Sequence, residues 1–190
     1  MSYNNGQGNN IITFGFNNVN SERKLHFVEW AGTPVEIIRE ILHRAQVGSD
    51  DVVYDLGSGD GRILFAAVEE FGARQAVGYE IREDLCNIAA KQIREAHLEE
   101  RIRIINGDLF DADLSDASVI TLYLGNETND ILRPKLEQCT RADTRIVSYL
   151  FPMNGWQAEG ELDTHSLSIQ EGRLDDIIFV YRVPQAFSGC

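Results

Sequence analysis

Residues 51–62 read Asp-Val-Val-Tyr-Asp-Leu-Gly-Ser-Gly-Asp-Gly-Arg, and this stretch decides the fold. Its first half, 51–56, is a short run rich in β-formers. Three glycines follow at alternate positions, Gly57, Gly59 and Gly61. They let the backbone turn sharply and let a ligand approach it closely. From Arg62 to Phe71 the apolar residues switch to helical spacing (Ile63, Leu64, Ala67, Val68, Phe71). A strand that passes through a glycine turn into a helix begins a β-α-β unit, and the first N–H groups of such a helix attract a negative group.

The same alternation extends in both directions. Upstream, Thr33 and Glu36 have capping-box spacing with Pro34 at the first helical position, and Val35, Ile37, Ile38, Ile41 and Leu42 form a stripe, so 34–46 is predicted as a helix. Downstream, strands are predicted at 76–79 (ending in Glu80), 101–105, 118–124 and 144–151. Helices are predicted at 84–96 and 127–138, with Pro134 as a kink or break. Segments 165–170 and 176–183, joined by Glu171-Gly-Arg173, read as a closing antiparallel hairpin. Strands alternating with helices imply an α/β protein: an open, mainly parallel sheet covered on both faces. Residues 1–22 are expected to be a flexible Asn/Gly-rich tail, and 23–190 a single domain.

The chain has 190 residues, 43% of them apolar and 25% charged, which suits a soluble globular protein. Thirty acidic against seventeen basic residues give a net charge of −13. That opposes a broad nucleic-acid surface, which needs Lys and Arg to neutralise phosphates, and it is compatible with a basic, lysine-bearing protein partner. Cys86, Cys139 and Cys190 are far apart and odd in number, so no disulfide framework is expected and a reducing compartment is. His26, His43, His97 and His165 make no HxxxH pair, so no metal is expected. No apolar run is long enough to span a bilayer, and no basic stretch precedes an apolar one at the N-terminus. The expected compartment is the cytoplasm.

A sheet of this kind binds its ligand beyond the carboxyl ends of its strands. Those ends carry Asp55 with Gly57–Gly61, then Glu80, then Asp108, then Tyr123. The glycine pattern departs from the dinucleotide fingerprint, because Arg62 stands where a third glycine belongs and Gly61 comes one residue early. Asp55 suits an ammonium better than a pyrophosphate. Glu80 can accept from both hydroxyls of a ribose. Asp108, in Asn106-Gly-Asp-Leu-Phe110, can accept from an exocyclic amine while Leu109 or Phe110 flanks a flat base. Amino acid, ribose and adenine together describe S-adenosylmethionine.

At VVYDLGSGDGR, VGYE and NGDLF the chain resembles the class I, seven-stranded methyltransferases over 33–183. The resemblance implies a Rossmann-like seven-stranded, mostly parallel sheet of order 3-2-1-4-5-7-6. It implies that Asp55, Gly57, Ser58, Gly59 and Gly61 hold the methionine end, that Glu80 holds the ribose, and that Asp108 and Leu109 hold the adenine. Thr33-Pro34, DLGSGDGRI, Thr121-Leu-Tyr-Leu124, Leu132-Arg-Pro-Lys-Leu136 and Phe151-Pro-Met-Asn-Gly-Trp156 further resemble the small archaeal-type protein-lysine methyltransferases. That family tends to carry an aromatic-Val-Pro-Thr-Pro stretch where this chain has Phe27-Val-Glu-Trp-Ala-Gly-Thr-Pro34. This segment is expected to lie over cofactor and acceptor.

The expected activity is direct in-line methyl transfer from S-adenosylmethionine to lysine ε-amino groups, leaving S-adenosylhomocysteine. No dedicated general base is required. Tyr123 is the candidate to orient the amine, and Glu29, Trp30, Thr33 and Trp156 are candidates for the acceptor channel. The alternatives are the same fold acting on a small molecule or RNA, and a non-catalytic S-adenosylmethionine-binding module. A nicotinamide enzyme stands behind both because of Arg62.

Overall fold

The computed structural model describes residues 3–4, 10–11, 32–163 and 177–183. Seven strands form one sheet: β1 (Val52–Leu56), β2 (Gln75–Glu80), β3 (Ile102–Asn106), β4 (Val119–Leu122), β5 (Arg145–Tyr149), β6 (Gly160–Asp163) and β7 (Ile177–Arg182). Their order is β3-β2-β1-β4-β5-β7-β6. The first five run parallel, while β7 is antiparallel to both β5 and β6. The expected order is therefore the observed one. Separately, Tyr3–Asn4 pairs with Asn10–Ile11 as a short antiparallel ribbon.

Alternation along the strands divides the core into two layers, because successive side chains point to opposite faces. Val53, Val119 and Val147 pack with Ile38, Ile41 and Leu42 of α1 (Val35–Arg44) and with Leu64 of α2 (Arg62–Phe65). Ile93 of α3 (Glu83–Glu95) joins this layer. Tyr54, Leu56, Ile120 and Leu122 pack on the other face with Leu132 and Leu136 of α4 (Asn126–Cys139) and with Leu114 and Met153. With both faces covered, β1 and β4 are buried along their whole length, as expected of parallel strands.

Several expectations need correction. The Thr33–Glu36 capping box does not form: Pro34 occupies the cap position at ψ 148° with no side-chain cap bond, and the Thr33 carbonyl instead accepts from Arg62 Nη1 at 3.1 Å. The helix after the glycine turn is not uniform, since α2 widens into a π-turn over Ala66–Glu70. Strand β4 stops at Leu122, so Tyr123, Leu124 and Gly125 leave the sheet. Pro134 lies inside a continuous α4, anchored on either side by buried Leu132 and Leu136. The strand that pairs with β7 is Gly160–Asp163; the segment 165–170, predicted as that arm, lies outside the described residues. Cys86 is a free, buried thiol.

One polar cluster ties the bottom of the sheet to α1. Arg145 donates to the carbonyls of Ala45 (2.8 Å) and Gln46 (3.0 Å) and ion-pairs with Asp51. Asp51 also accepts from Ser118 Oγ at 2.7 Å. The pair is largely shielded from water, so removing one partner leaves the other uncompensated. Arg145→Ala is expected to lower unfolding stability by roughly 2–4 kcal/mol, read from the urea midpoint. Arg145→Lys should recover only part of that, because one ammonium cannot reach all three acceptors.

Candidate active site

The glycine turn works because all three glycines are left-handed: Gly57, Gly59 and Gly61 have φ of 86°, 55° and 82°. That region penalises any residue with a Cβ. The turn folds the end of β1 back over β2, where the Gly57 and Ser58 N–H groups both donate to the Tyr79 carbonyl at 2.8 and 3.0 Å. Gly78 beneath is equally constrained, since a Cβ there would lie 2.5 Å from Ser58 Oγ and 2.7 Å from Leu64 Cδ1.

Glu80 is fastened into this arrangement. One carboxylate oxygen accepts from Gly59 N–H and the other from Arg82 N–H, each at 2.8 Å. Its carbonyl accepts from Asn106 Nδ2 at 3.0 Å and from Gly107 N–H at 3.0 Å, linking the tips of β2 and β3. Asp108, on the next tip, caps the short 3₁₀ turn Leu109–Asp111 by accepting from Phe110 N–H at 2.9 Å. The N–H groups of Gly57, Ser58 and Gly59 are thus all engaged inside the protein. A ligand anion would have to meet the start of α2 rather than these three donors.

Asp55 is buried at the tip of β1 and accepts from Thr121 Oγ1 at 2.7 Å. Asp55 and Thr121 are paired across β1 and β4, which brings their side chains together. Burial, partly offset by the Thr121 bond and reinforced by the charges of Glu80 and Asp60, pushes the Asp55 carboxyl up to about 7.

These groups border one cleft of about 270 Å³, lined by Asp55, Gly57, Ser58, Glu80, Asp108, Leu109, Phe110, Tyr123 and Thr33, and by Phe151 and Thr128. Glu80 and Asp108 are therefore on the same side of the molecule as the glycine turn. Gly59 and Gly61 shape the turn from beneath. Trp156 does not join the cleft: its indole N–H donates to Glu137 at 2.8 Å and its ring meets Tyr181 edge-on at 5.5 Å, packed against the α4 layer. Glu29 and Trp30 lie outside the described residues.

Sequence reasoning missed Arg62 as part of the site. Its guanidinium is held by Asp60 (2.7 and 2.9 Å) and reaches the Thr33 carbonyl. A Cβ on Gly32 would come within 2.4 Å of Nη1. Arg62 thereby seats the chain entering α1 against the glycine turn. A polar Thr121 inside the apolar run Val119-Ile-Thr-Leu122 was the available signal for the Asp55 bond. Phe151 opens the stretch Phe151-Pro-Met-Asn-Gly-Trp156, but nothing in the sequence sets it, rather than Trp156, at the cleft.

Three carboxylates on consecutive strand tips, with Leu85, Leu109 and Phe110 beside them, form a set of acceptors next to an apolar wall. A ligand bearing an ammonium, vicinal hydroxyls and an amino-purine supplies the matching donors, and S-adenosylmethionine fits. Residues 55–160 match the family of ANTKMT methyltransferase domains. The chain belongs to that family. It is a methyltransferase, and S-adenosylmethionine is its cofactor.

The methyltransferase is 34% identical over 154 residues to a protein-lysine N-methyltransferase of Saccharolobus islandicus, covering 81% of this chain and 92% of that one. It is 30% identical to the mouse adenine nucleotide translocase lysine N-methyltransferase, covering 77% of this chain but only 62% of the mouse protein. Among solved structures, an RNA methyltransferase from Salinibacter ruber in complex with S-adenosyl-L-homocysteine is 38% identical. It superposes with a TM-score of 0.73 over 82% of this chain and 95% of that one.

The raised Asp55 pKa has a stability consequence in the ligand-free protein. The unfolded chain ionises Asp55 near 3.8 and the folded one only near 7, so stability present below about pH 4 is lost as pH rises to about 7. The loss is at most on the order of 4 kcal/mol. Asp55→Asn removes the ionisation and should melt several degrees above the parent at pH 8. At pH 4 that advantage should vanish, which thermal scans across this range would check.

Proposed function

We propose that this methyltransferase transfers the methyl group of S-adenosylmethionine to the ε-amino group of lysine in a protein acceptor. The observation that carries the reading is the convergence of Asp55, Glu80 and Asp108 on one cleft whose lining also includes the rings of Tyr123 and Phe151. Two relatives at 30% identity or above, named for lysine methylation, support it.

When bound, S-adenosylmethionine supplies a methyl already activated on its sulfonium. In this reading Asp55 receives the cofactor ammonium, Glu80 the two ribose hydroxyls and Asp108 the adenine amine, with Leu109 and Phe110 against the base. Each carboxylate oxygen of Glu80 already takes one backbone N–H, leaving a second lone pair for a hydroxyl. The chain's other task is to align the nucleophile and exclude water. A lysine amine is neutral in only about one part in a thousand near pH 7.4, roughly 4 kcal/mol. Desolvation among the rings of Tyr123 and Phe151 lowers that barrier by favouring the neutral amine. Tyr123 orients the amine, and Thr33, held by Arg62, borders the acceptor side. The net charge of −13 attracts a lysine-bearing partner and fits a salty cytoplasm, the setting we assign.

A second reading, transfer to RNA, is favoured by the description of the Salinibacter protein as an RNA methyltransferase. The same charge opposes it, because phosphate contacts require cations.

Labelled methyl from S-adenosylmethionine, supplied to a lysate with the enzyme, is expected on lysine when the modified residues are identified by mass spectrometry. Label on RNA, arginine, glutamine or small metabolites would overturn the assignment. Glu80→Ala is expected to weaken S-adenosylmethionine and S-adenosylhomocysteine alike in calorimetry, by tenfold or more, since both carry the ribose. Weakening of one alone would contradict the ribose role.

A further inference from the structure

Just past β5 the backbone adopts a conformation that its side chain does not favour. Leu150 has φ 66°, a left-handed conformation that non-glycine residues adopt only where their surroundings hold them in it. Two polar side chains do this from beneath. Ser148 Oγ donates to the Phe151 carbonyl at 2.6 Å. Asn129 Nδ2, on α4, donates to the same carbonyl at 3.1 Å and lies 3.5 Å from the Pro152 carbonyl. Asn129 is completely buried. Nδ2 also lies 3.4 Å from Ser148 Oγ; the two carbonyls facing it can only accept, so the amide nitrogen must point to them, and Oδ1 is left without a hydrogen-bond partner.

A strained turn held by a half-satisfied buried amide is not what stability alone would select, because such an amide destabilises the core. Its effect is felt at Phe151. That ring lies within 24° of parallel to Tyr123, with centroids 6.4 Å apart, and both residues line the cleft.

We infer that Asn129 is a positioning residue: through the Phe151 carbonyl it holds the left-handed Leu150 turn and so sets the Phe151 ring with Tyr123 as the aromatic wall that aligns the acceptor amine. The inference rests on the lysine reading of the cleft. Such a wall strips water from the incoming amine, which favours its neutral form, and restricts the paths open to it.

The test uses full-length variants, tritiated S-adenosylmethionine and the macromolecules of a heat-treated lysate, with label counted separately in protein and RNA. Asn129→Ala and Phe151→Leu are each expected to lower the transfer rate tenfold or more. Affinity for S-adenosylhomocysteine should stay within threefold of the parent. The double variant should be no worse than the poorer single one, because both changes break the same link. Multiplicative losses, or parental transfer by either single variant, would overturn the inference. Should Asn129→Ala not fold, Ser148→Ala removes the other donor to the same carbonyl; a loss of at least threefold is expected, and parental transfer counts against the role. Label confined to RNA would refute the lysine reading, while the ratio of variant to parent would still judge Asn129. If the parent labels neither fraction, the ¹³C-phenylalanine resonance lost in Phe151→Leu decides: it should shift in Asn129→Ala, and an unmoved signal overturns the positioning role.

Discussion

Both oxygens of the Glu80 carboxylate are tied to backbone N–H groups, and the site depends on this. One bond reaches back to Gly59 in the turn after β1, and the other reaches forward to Arg82 at the approach to α3. A buried carboxylate costs free energy unless its oxygens are hydrogen-bonded; here each oxygen accepts a backbone N–H. The glycine turn and the second strand tip are thereby locked to each other in advance of any ligand. Such preorganisation limits what must be ordered on binding.

Much of this architecture is legible in the chain because parallel strands buried on both faces leave long apolar runs, and the turns between them carry glycine or acidic residues at fixed offsets. The strand order and the shared location of Asp55, Glu80 and Asp108 follow from such local patterns together with the handedness of crossovers. What escaped was non-local. Thr33 looks like a helix cap until Arg62, 29 residues away in sequence, engages its carbonyl. Trp156 looks like a channel residue in a motif of Phe, Pro and Trp, yet α4 and Tyr181 draw it into the opposite layer. Phe151, in the cleft, directly follows a left-handed Leu150, and no propensity favours leucine in that conformation.

The cleft joins two kinds of wall. One is built from strand tips and is rigid, since every acceptor on it is fixed by backbone or by an adjacent strand. The other combines Tyr123, which has left β4, with Phe151, which follows a strained turn, and Thr33, seated by a guanidinium. The first wall carries the groups proposed for the cofactor, and the second those proposed for the acceptor.

The widened turn at Ala66–Glu70 bears on how the chain tolerates length changes. A single π-turn contains one residue more than an α-helix needs to cover the same arc. Deleting one residue there would let ordinary i to i+4 bonding resume, while Gly61 and Arg62 stayed where the site requires them. This short helical segment is therefore the place where a one-residue deletion is expected to leave the glycine turn in position.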